Sequence, residues 1–500
     1  MKKLSLLFVA VCLSMPMLKA AFQLTGAGTA KSPYQVASIA NLREMRDSIN
    51  STYNTSSNIY RSAYYQLEAD LDYTAETVKW APISSGVDKK FTGTFDGNGK
   101  AIKGLYIGTS AAYVGQVYAG LFGVIDAATI KNLSLTDFKI YTKCTTLTNS
   151  TFCTGGIAGT ANTNTNIYNC SVTGKFTTID SIGGIYIGGL CGKIQNGVNI
   201  TNCWTNVALI AKNVLLSDPT KATPPTAAVK LNAGGITSAH EISSQTIARP
   251  EITNCYSLGG IRLEGAYTSC IVGGIVGNNT PNITNCVSYG VIKSTNHLGN
   301  SKVGGIGGLR GGATVNCVAL NDSLVMVGVD ADNNVGRIMN TANNQVTCYA
   351  LASMLMKENN VKVAYPASNY DLDTFCGLDL TEGQDVSLIL NGYIQTNATA
   401  NGQSLLSWTA VNGIPKFTSA PTVTPATRLN KLAASGNGMY AYSKDGSLYI
   451  AGAAVGQLVE IYTIHGVKVS SDLATADVLK KNLAKGLYVV SGIKQVVANK

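Results

Sequence analysis

The sequence predicts an all-β fold in which parallel coils are stacked into a solenoid. The first observation is a set of cysteines that recur every 31 residues, at Cys255, Cys286, Cys317 and Cys348, with Cys170 and Cys203 continuing the column upstream. The second is a small-residue signature that precedes these cysteines, at Gly155-Gly156-Ile157, Gly188-Gly189-Leu190, Gly234-Gly235-Ile236, Gly273-Gly274-Ile275 and Gly304-Gly305-Ile306. A period near 31 residues with two strand-like anchors indicates stacked units, none of which buries its apolar face alone.

Each repeat also contains an Ile-Thr-Asn-Cys corner, which is intact at 200–203, 252–255 and 283–286. We expect the Ile and Cys side chains to point into the core. The Asn between them tolerates the left-handed backbone conformation that a sharp corner requires. Equivalent asparagines of successive coils can then hydrogen-bond along the stack, and the glycine pairs let neighbouring coils approach where no side chain fits.

The composition is typical of a β-rich, turn-rich protein of two or three domains, with 500 residues, 52 glycines and only 13% charged residues. The formal net charge is +10, but the basic residues are scattered along the chain without interleaved aromatic residues. This pattern argues against nucleic acid as a partner.

The first twenty residues are typical of a secretory signal peptide. Lys2 and Lys3 precede an apolar run at 4–13, and Ala20 lies at the end of the expected leader. The sequence therefore predicts export. No later stretch approaches the length of apolar residues that a membrane-spanning helix needs.

Twelve cysteines in an exported chain ordinarily indicate disulfides. In a parallel stack, however, equivalent residues lie about 4.8 Å apart with parallel Cα–Cβ vectors, which does not suit the Cβ separation of about 3.8 Å in a disulfide. We therefore interpret the repeating cysteines as a structural ladder of reduced, buried thiols. Cys144 and Cys153 are candidates for a disulfide, and the sequence leaves that pairing open.

The chain is predicted to contain five segments: a signal peptide at 1–20, a capping segment at 21–60, the solenoid at 61–417, a linker at 418–432 and a β-sandwich at 433–500. The capping segment contains one amphipathic helix, because Ile39, Leu42, Met45 and Ile49 recur at helical spacing. Such a helix would cover the open edge of the first coil. A second helix is predicted at 351–358, and Asp96-Gly97-Asn98-Gly99 is predicted to be a tight turn.

The Gly-Gly-Ile and Ile-x-Asn-Cys repeats, the run at 91–99 and the Trp408 to Pro415 ending together resemble GLUG-motif proteins. The resemblance covers most of the chain from Ala21 to Phe417. It implies a right-handed parallel β-helix on a secreted or cell-surface protein of a Gram-negative bacterium. It implies no activity, since such repeats accompany varied domains.

The C-terminal segment resembles the sorting domain of type IX secretion. The matching stretches are 459–466, which is similar to the hairpin motif, and 483–488, which is similar to the Gly-x-Tyr motif near a basic end. The Pro-Asn-Pro signature that often opens such domains is missing. The resemblance implies that the outer-membrane secretion machinery is a partner, and an accessory β-sandwich is the alternative.

Residues with catalytic chemistry are sparse. The three histidines are His240, His297 and His465, which we expect in two loops and in the C-terminal hairpin. The sequence has neither the His-Glu-x-x-His motif of zinc proteases nor a Gly-x-Ser-x-Gly elbow. The densest acidic loop contains Asp330 and Asp332, which are weak candidates for an ion or sugar site; a solvated turn is the alternative. We predict no cofactor.

Tyrosine is frequent, with 24 residues, and exposed tyrosines can anchor sugars or proteins. Tyr256 and Tyr349 each follow an inward-pointing cysteine, so they are expected to point outward. Together with Tyr289 they are candidate ligand contacts. The alternative is that they simply fill the β-surface.

These observations predict a non-enzymatic protein, secreted or displayed at the cell surface, that binds a protein or glycan ligand through its loops and outer faces in the manner of an adhesin. The first alternative is a carbohydrate-active β-helix enzyme, either a polysaccharide lyase or a glycoside hydrolase. The second alternative is an architectural component of the cell surface.

Overall fold

The computed structural model describes residues 24–51, 58–144, 151–180, 184–213, 230–242, 246–278, 281–297, 299–309, 311–328, 334–340, 345–363, 376–380, 384–411, 414–419, 440–444, 447–451, 458–463, 468–473, 478–484, 486–490 and 496–499. The chain divides into two compact units, Met1–Ala426 and Thr427–Lys500. The first unit is a parallel β-solenoid of about nine turns, and helix accounts for only 7% of the chain. The predicted fold class is confirmed.

A complete coil crosses four parallel sheets in a fixed order. The first is a ten-stranded sheet, here called the corner sheet. In most coils its strand ends just before the Asn-Cys corner. Its strands are Tyr34–Val36, Tyr64–Leu67, Thr94–Asp96, Thr129–Lys131, Asn166–Tyr168, Asn199–Thr201, Glu251–Thr253, Asn282–Thr284, Thr314–Val315 and Gln345–Val346.

The second sheet, here called the long sheet, has sixteen strands and includes the longest strands of the protein. Its strands are Leu71–Asp72, Ala101–Lys103, Tyr106–Ile107, Ser134–Cys144, Ser171–Asp180, Trp204–Asn213, Tyr256–Ser257, Ile261–Glu264, Val287–Ser288, Ile292–His297, Val318–Ala319, Ser323–Gly328, Tyr349–Leu351, Leu355–Glu358, Val361–Lys362 and Leu378–Leu380. All of its pairings are parallel except that of Leu355–Glu358 with Val361–Lys362.

A seven-stranded and a five-stranded sheet complete the coil, and the Gly-Gly pair of each repeat lies between them. The seven-stranded sheet contains Tyr118–Ala119, Thr151–Thr154, Gly184–Gly188, Lys230–Gly234, Ser269–Gly273, Asn300–Gly304 and Asn334–Gly336. The five-stranded sheet contains Phe122–Ile125, Ala158–Ala161, Cys191–Gln195, Thr237–Glu241 and Val276–Asn278. A Cβ atom on Gly235 or Gly274 would collide with the carbonyl oxygen of the equivalent glycine in the next coil, so these corners require glycine.

The core consists of equivalent residues stacked in register. Ile130, Ile167, Ile200, Ile252 and Ile283 pair in successive coils of the corner sheet, and all are fully buried. Because the inward positions of every coil are apolar, the stack shares one continuous core.

Helix α1, Ile39–Asn50, confirms the predicted N-terminal helix. The side chain of Ser38 caps it by accepting a hydrogen bond of 3.2 Å from the Asn41 amide. Leu42, Met45 and Ile49 are fully buried and belong to the solenoid core, so α1 covers the first coil as expected.

The helix predicted at 351–358 is wrong. This stretch forms the strands Tyr349–Leu351 and Leu355–Glu358, because the preceding coil presents Val318–Ala319 and Ser323–Met326 for parallel pairing. The second helix is instead α2, Val386–Thr396, capped by Asp385. Two hairpins follow it, Thr399–Ala400 with Gln403–Ser404 and Trp408–Val411 with Ile414–Phe417.

The second unit contains two small antiparallel sheets, as predicted. One is formed by Tyr440–Lys444, Ser447–Ala451 and Val478–Lys481, and the other by Lys468–Leu473, Leu458–Thr463, Gly486–Val490 and Val496–Asn499. Both sheets contribute to one core, in which Leu448 and Ile450 pack with Val459, Ile461 and Val490. This is the arrangement of a β-sandwich.

Candidate functional surface

The corner asparagines form a hydrogen-bonded column along the solenoid. Asn254 and Asn285 have φ angles of 55° and 54°, in the left-handed region that the sequence predicted. Each asparagine donates from its Nδ2 to the Oδ1 of the asparagine one coil earlier. The bonds run from Asn169 to Asn132 (3.1 Å), Asn202 to Asn169 (3.2 Å), Asn254 to Asn202 (2.7 Å), Asn285 to Asn254 (2.7 Å) and Asn316 to Asn285 (2.8 Å). The column aligns the corners of six coils.

The predicted cysteine ladder lies directly inside this column. All six thiols are free and buried. The Cys255 amide donates to the Sγ of Cys286 over 3.4 Å, and the Cys286 thiol donates to the Ile252 carbonyl of the previous coil over 3.5 Å. Burial raises the pKa of the Cys255 thiol above its ordinary value, which keeps it protonated and unreactive.

Cys144 and Cys153, the pair whose state the sequence left open, are likewise free and buried. Burial also raises the pKa of Cys270 to about 12. In the described part of the chain the cysteines therefore serve as small apolar residues and not as cross-links.

The outer side of the corner carries an apolar cluster that includes Tyr256. Trp204 and Tyr256 occupy equivalent positions in adjacent coils and stack with ring centroids 5.6 Å apart and an interplanar angle of 4°. Trp408 and Phe417 of the second hairpin pack on Tyr256 at 5.5 and 4.9 Å. Residues 384–411 and 414–419, here called the covering segment, thus lie over the outer surface of these coils.

The prediction that Tyr256 is an exposed ligand contact is therefore wrong. Its side chain does point away from the solenoid core, but the covering segment leaves it 0% exposed. Tyr289 and Tyr349 are half-buried and pack against the same apolar cluster. Register places Tyr256 and Tyr349 in one outward-facing column with Trp204, Val287 and Val318, and the covering segment packs against this mixed apolar column.

Polar contacts join the covering segment to the asparagine column. The indole Nε1 of Trp408 donates to Asn254 Oδ1 over 2.7 Å, and Asn254 Nδ2 donates to the Leu406 carbonyl over 3.0 Å. One coil earlier, Asn202 Oδ1 accepts a hydrogen bond of 3.1 Å from the Leu406 amide. The asparagines therefore have two roles, since they link the coils to each other and fix the covering segment.

A charged cluster that the sequence analysis missed lies where the seven- and five-stranded sheets meet. Lys193 Nζ lies 2.8 Å from Glu241 Oε2 and 5.7 Å from the centre of the Tyr186 ring. The Lys193 side chain is only 12% exposed. Burial acts to raise the pKa of Glu241, but the ammonium group of Lys193 outweighs it and holds that pKa below its usual range. The carboxylate is thus committed to an ion pair.

The sequence analysis missed this cluster because the long insertion at 214–229 lies between the paired strands Cys191–Gln195 and Thr237–Glu241 and places them more than one repeat apart. His240, expected in a loop, belongs to the second of these strands and is buried at 4% exposure. Its ring Nε2 lies 3.4 Å from Asn196 Oδ1.

Some of the candidate residues cannot be placed. Asp330, Asp332 and His465 fall outside the described residues, as does the side chain of His297. Arg337, which follows the acidic loop in the sequence, is buried and binds Asp379 and the carbonyl oxygens of Cys376 and Gly377. Within the described ranges, no group of three or more His, Cys, Asp or Glu side chains is placed to hold a metal ion. No helix among these residues is long and apolar enough to cross a membrane.

The GLUG motif family model matches residues 150–178. The chain is 30% identical over 176 residues to halomucin of Haloquadratum walsbyi, which is 32% of this chain and 2% of halomucin. It is 33% identical over 116 residues to a "Putative Gly-rich membrane protein" of Evansella cellulosilytica, which is 22% of this chain and 12% of that protein. The chain therefore spans only a small part of the length of these relatives.

Two solved structures match this chain. A "putative immunoglobulin A1 protease" of Bacteroides ovatus matches with a TM-score of 0.48 and 22% identity, over 79% of this chain and 95% of that chain. A structure named "IgA1 Protease" matches with a TM-score of 0.42 and 13% identity, over 92% of this chain and 34% of that chain.

Proposed function

We propose that this protein is a non-enzymatic β-solenoid of the cell surface that binds an extended partner, in the manner of an adhesin, through the outer face of the long sheet. The observation that carries the proposal is the contrast between two parts of this face. The part around Trp204 and Tyr256 is occupied by the covering segment, whereas Lys139, Lys175 and Lys212, farther along the strands, are exposed.

The solenoid suits multi-point binding because its coils are locked to one another. Backbone pairing, the asparagine column and the shared core hold equivalent side chains about 4.8 Å apart in successive coils. A rigid row of contacts costs little ordering entropy when a long partner docks along it. Weak individual contacts then add up to useful avidity.

The surface location is supported by the GLUG match and by the kinds of relative that the chain has. One of these relatives is named as a membrane protein.

The proposal also holds that the protein is not an enzyme, and the ion pairs formed by Glu241 and Asp379 support this part of it. Both carboxylates are engaged in ion pairs, with Lys193 and Arg337 respectively, and so are poorly suited to act as general bases.

The proposal is tested by adding the purified full chain to a glycan and matrix-protein array and to cells of a deletion strain. We expect dose-dependent binding to a definable group of ligands and restored attachment of the deletion strain. The same ligands are then incubated with the protein and assayed for new reducing ends or unsaturated products. Binding without turnover supports the proposal; turnover of any polysaccharide would replace it with the carbohydrate-active alternative.

A further inference from the structure

The outer face of the long sheet carries an array of basic side chains contributed by separate coils. Parallel register places Lys139 beside Lys175, and Arg262 beside Lys293. Lys212 lies beside Glu264, and Val325 lies between Lys293 and Lys357. These residues are far apart in sequence, and only the stacking brings them onto one surface.

Strand alternation establishes that they share the outer face. Ile140, Phe176 and Leu209 point inward and are buried in the core. The intervening positions therefore point outward. Lys139, Lys143, Lys175 and Lys212 are exposed there, and Arg262, Lys293 and Lys357 are half-exposed.

The carboxylates on this face neutralise only part of the charge. Asp72 pairs with Lys103 at 3.6 Å, Asp137 pairs with Lys139 at 3.0 Å, and Glu264 pairs with Lys212 at 3.6 Å and with Arg262. Among the residues that the structure describes, no carboxylate lies within ion-pair distance of Lys143, Lys175, Lys293 or Lys357. The face therefore has a positive excess that is open to an external anion.

The spacing of the cations indicates which anion fits. Along the column from Arg262 through Lys293 to Lys357, cations recur every one or two coils, which is about 5–10 Å. Duplex nucleic acid carries one charge per about 1.7 Å, and single strands are bound on aromatic stacking platforms. In this column Val325 separates Lys293 from Lys357, and Ile210, Thr177 and Tyr141 continue it beyond Arg262, so it offers a single aromatic residue rather than a series of stacking platforms.

We propose that the outer face of the long sheet binds an anionic polysaccharide, one that carries carboxylate or sulfate groups at sugar-length intervals. Tyr106 lies beside Lys139, and Tyr141 lies on the same face, packed edge-on against Tyr113 at 5.7 Å. A ring face next to a cation suits a sugar that presents both C–H groups and an anionic substituent. This inference rests on the proposed function and deepens it by naming the ligand class.

The test measures the affinity of the full chain for heparin and for polygalacturonate, with neutral dextran and duplex DNA in parallel arms. We expect both acidic polysaccharides to bind, with an affinity that falls steeply as salt is added. Dextran is expected not to bind, and DNA is expected to bind at least tenfold more weakly than heparin.

The variant for this test is Lys143→Gln/Lys175→Gln/Lys293→Gln. We expect it to bind heparin at least tenfold more weakly and with a shallower salt dependence, at an unchanged melting temperature. Its matched control is Lys31→Gln/Lys89→Gln/Lys230→Gln, which removes the same charge from other surfaces and is expected to bind as the wild type does.

The inference is overturned by equal losses in both triple variants, by tighter binding of DNA, or by no binding to either acidic polysaccharide. If the array shows a neutral glycan or a protein ligand while both acidic polysaccharides fail, this inference falls and the proposed function stands. If no ligand of any kind binds, both fall.

Discussion

The indole nitrogen of Trp408 donates a 2.7 Å hydrogen bond to the side-chain oxygen of Asn254, 154 residues earlier in the chain. The same Asn254 side chain accepts a hydrogen bond from Asn285 and donates one to Asn202. A single corner residue therefore connects the coils to each other and to the segment that covers them.

Replacing Trp408 with alanine should detach the covering segment. The indole is 3% exposed and packs on Tyr256 and Phe417, so its removal leaves a cavity and deletes one of the hydrogen bonds that Asn254 Oδ1 accepts. We expect a loss of about 3–5 kcal/mol in unfolding free energy, measured by chemical denaturation, and faster proteolysis within the covering segment. Leu388→Ala is the control, since Leu388 lies on α2 but is 70% exposed. Similar losses in the two variants would show that the indole contact is unimportant.

Substituting Asn285 separates the backbone role of the corner from its side-chain role. Asn285→Ala loses the ladder hydrogen bonds to Asn254 and Asn316 and places a Cβ-bearing residue without polar compensation at a φ of 54°. We expect a loss of about 3–4 kcal/mol, from about 1–2 for the left-handed backbone and about 1 for each of the two hydrogen bonds. Asn285→Gly should recover the backbone part alone. Equal stability of the two variants would contradict this division.

The ladder thiols should resist modification for as long as the solenoid is folded. All six ladder side chains lie inside the core, where a reagent cannot reach them and where burial disfavours the charged thiolate. We expect iodoacetamide, followed by mass spectrometry, to label them only at denaturant concentrations that unfold the protein. Dithiothreitol is expected to leave the melting temperature unchanged. Rapid labelling under native conditions, or a mass that reports a disulfide, would disprove the reduced ladder.

The Lys193–Glu241 pair should make stability depend on pH in acid. Because the folded state lowers the pKa of Glu241, the pair stabilises the protein above the ordinary carboxyl pKa, and the stabilisation is lost as the pH falls through the lower folded value. We expect Glu241→Gln to melt below the wild type near neutral pH and the difference to shrink as the pH falls below about 4. Glu68→Gln, which changes an exposed glutamate on another surface, serves as the control. A difference that is constant with pH would rule out the ion pair as its source.

The second unit should direct export if its likeness to a sorting domain is functional. A fluorescent protein fused to residues 430–500 is expected to reach the outside of a host that has type IX secretion. The Tyr488→Ala variant of this fusion tests whether export depends on the fold of the second unit. Tyr488 is buried in the core of the sandwich, and its hydroxyl donates to the Ala484 carbonyl over 2.8 Å. Retention of the unmodified fusion in the periplasm would identify the unit as an accessory sandwich.

The parts of this fold that the sequence predicted well are those in which residue identity dictates local geometry. Asn254 was assigned a left-handed corner and Cys255 an inward position, because few residues tolerate that backbone and few small apolar side chains fit behind it. The helix predicted at 351–358 was wrong for the opposite reason. Its residues carry no decisive local signal, and parallel pairing with the coil below outweighed their propensity.

The surfaces could not be predicted in the same way. Strand alternation predicts that Tyr256 points outward. Whether water or Trp408 covers it depends on how the covering segment, about 150 positions later in the chain, packs. The alignment of Lys175 with Lys139 on one side and Ala208 on the other depends on loops of unequal length between the strands.

The sequence by itself determined the stacked parallel architecture, the corner geometry and the reduced state of the ladder thiols, because these depend on a period that repeats along the chain. Only the tertiary structure decided which outer surface is occupied and which collects charge. Those properties arise from residues that are far apart in the sequence and that the stacking brings together. No local sequence pattern indicates which of these residues become neighbours.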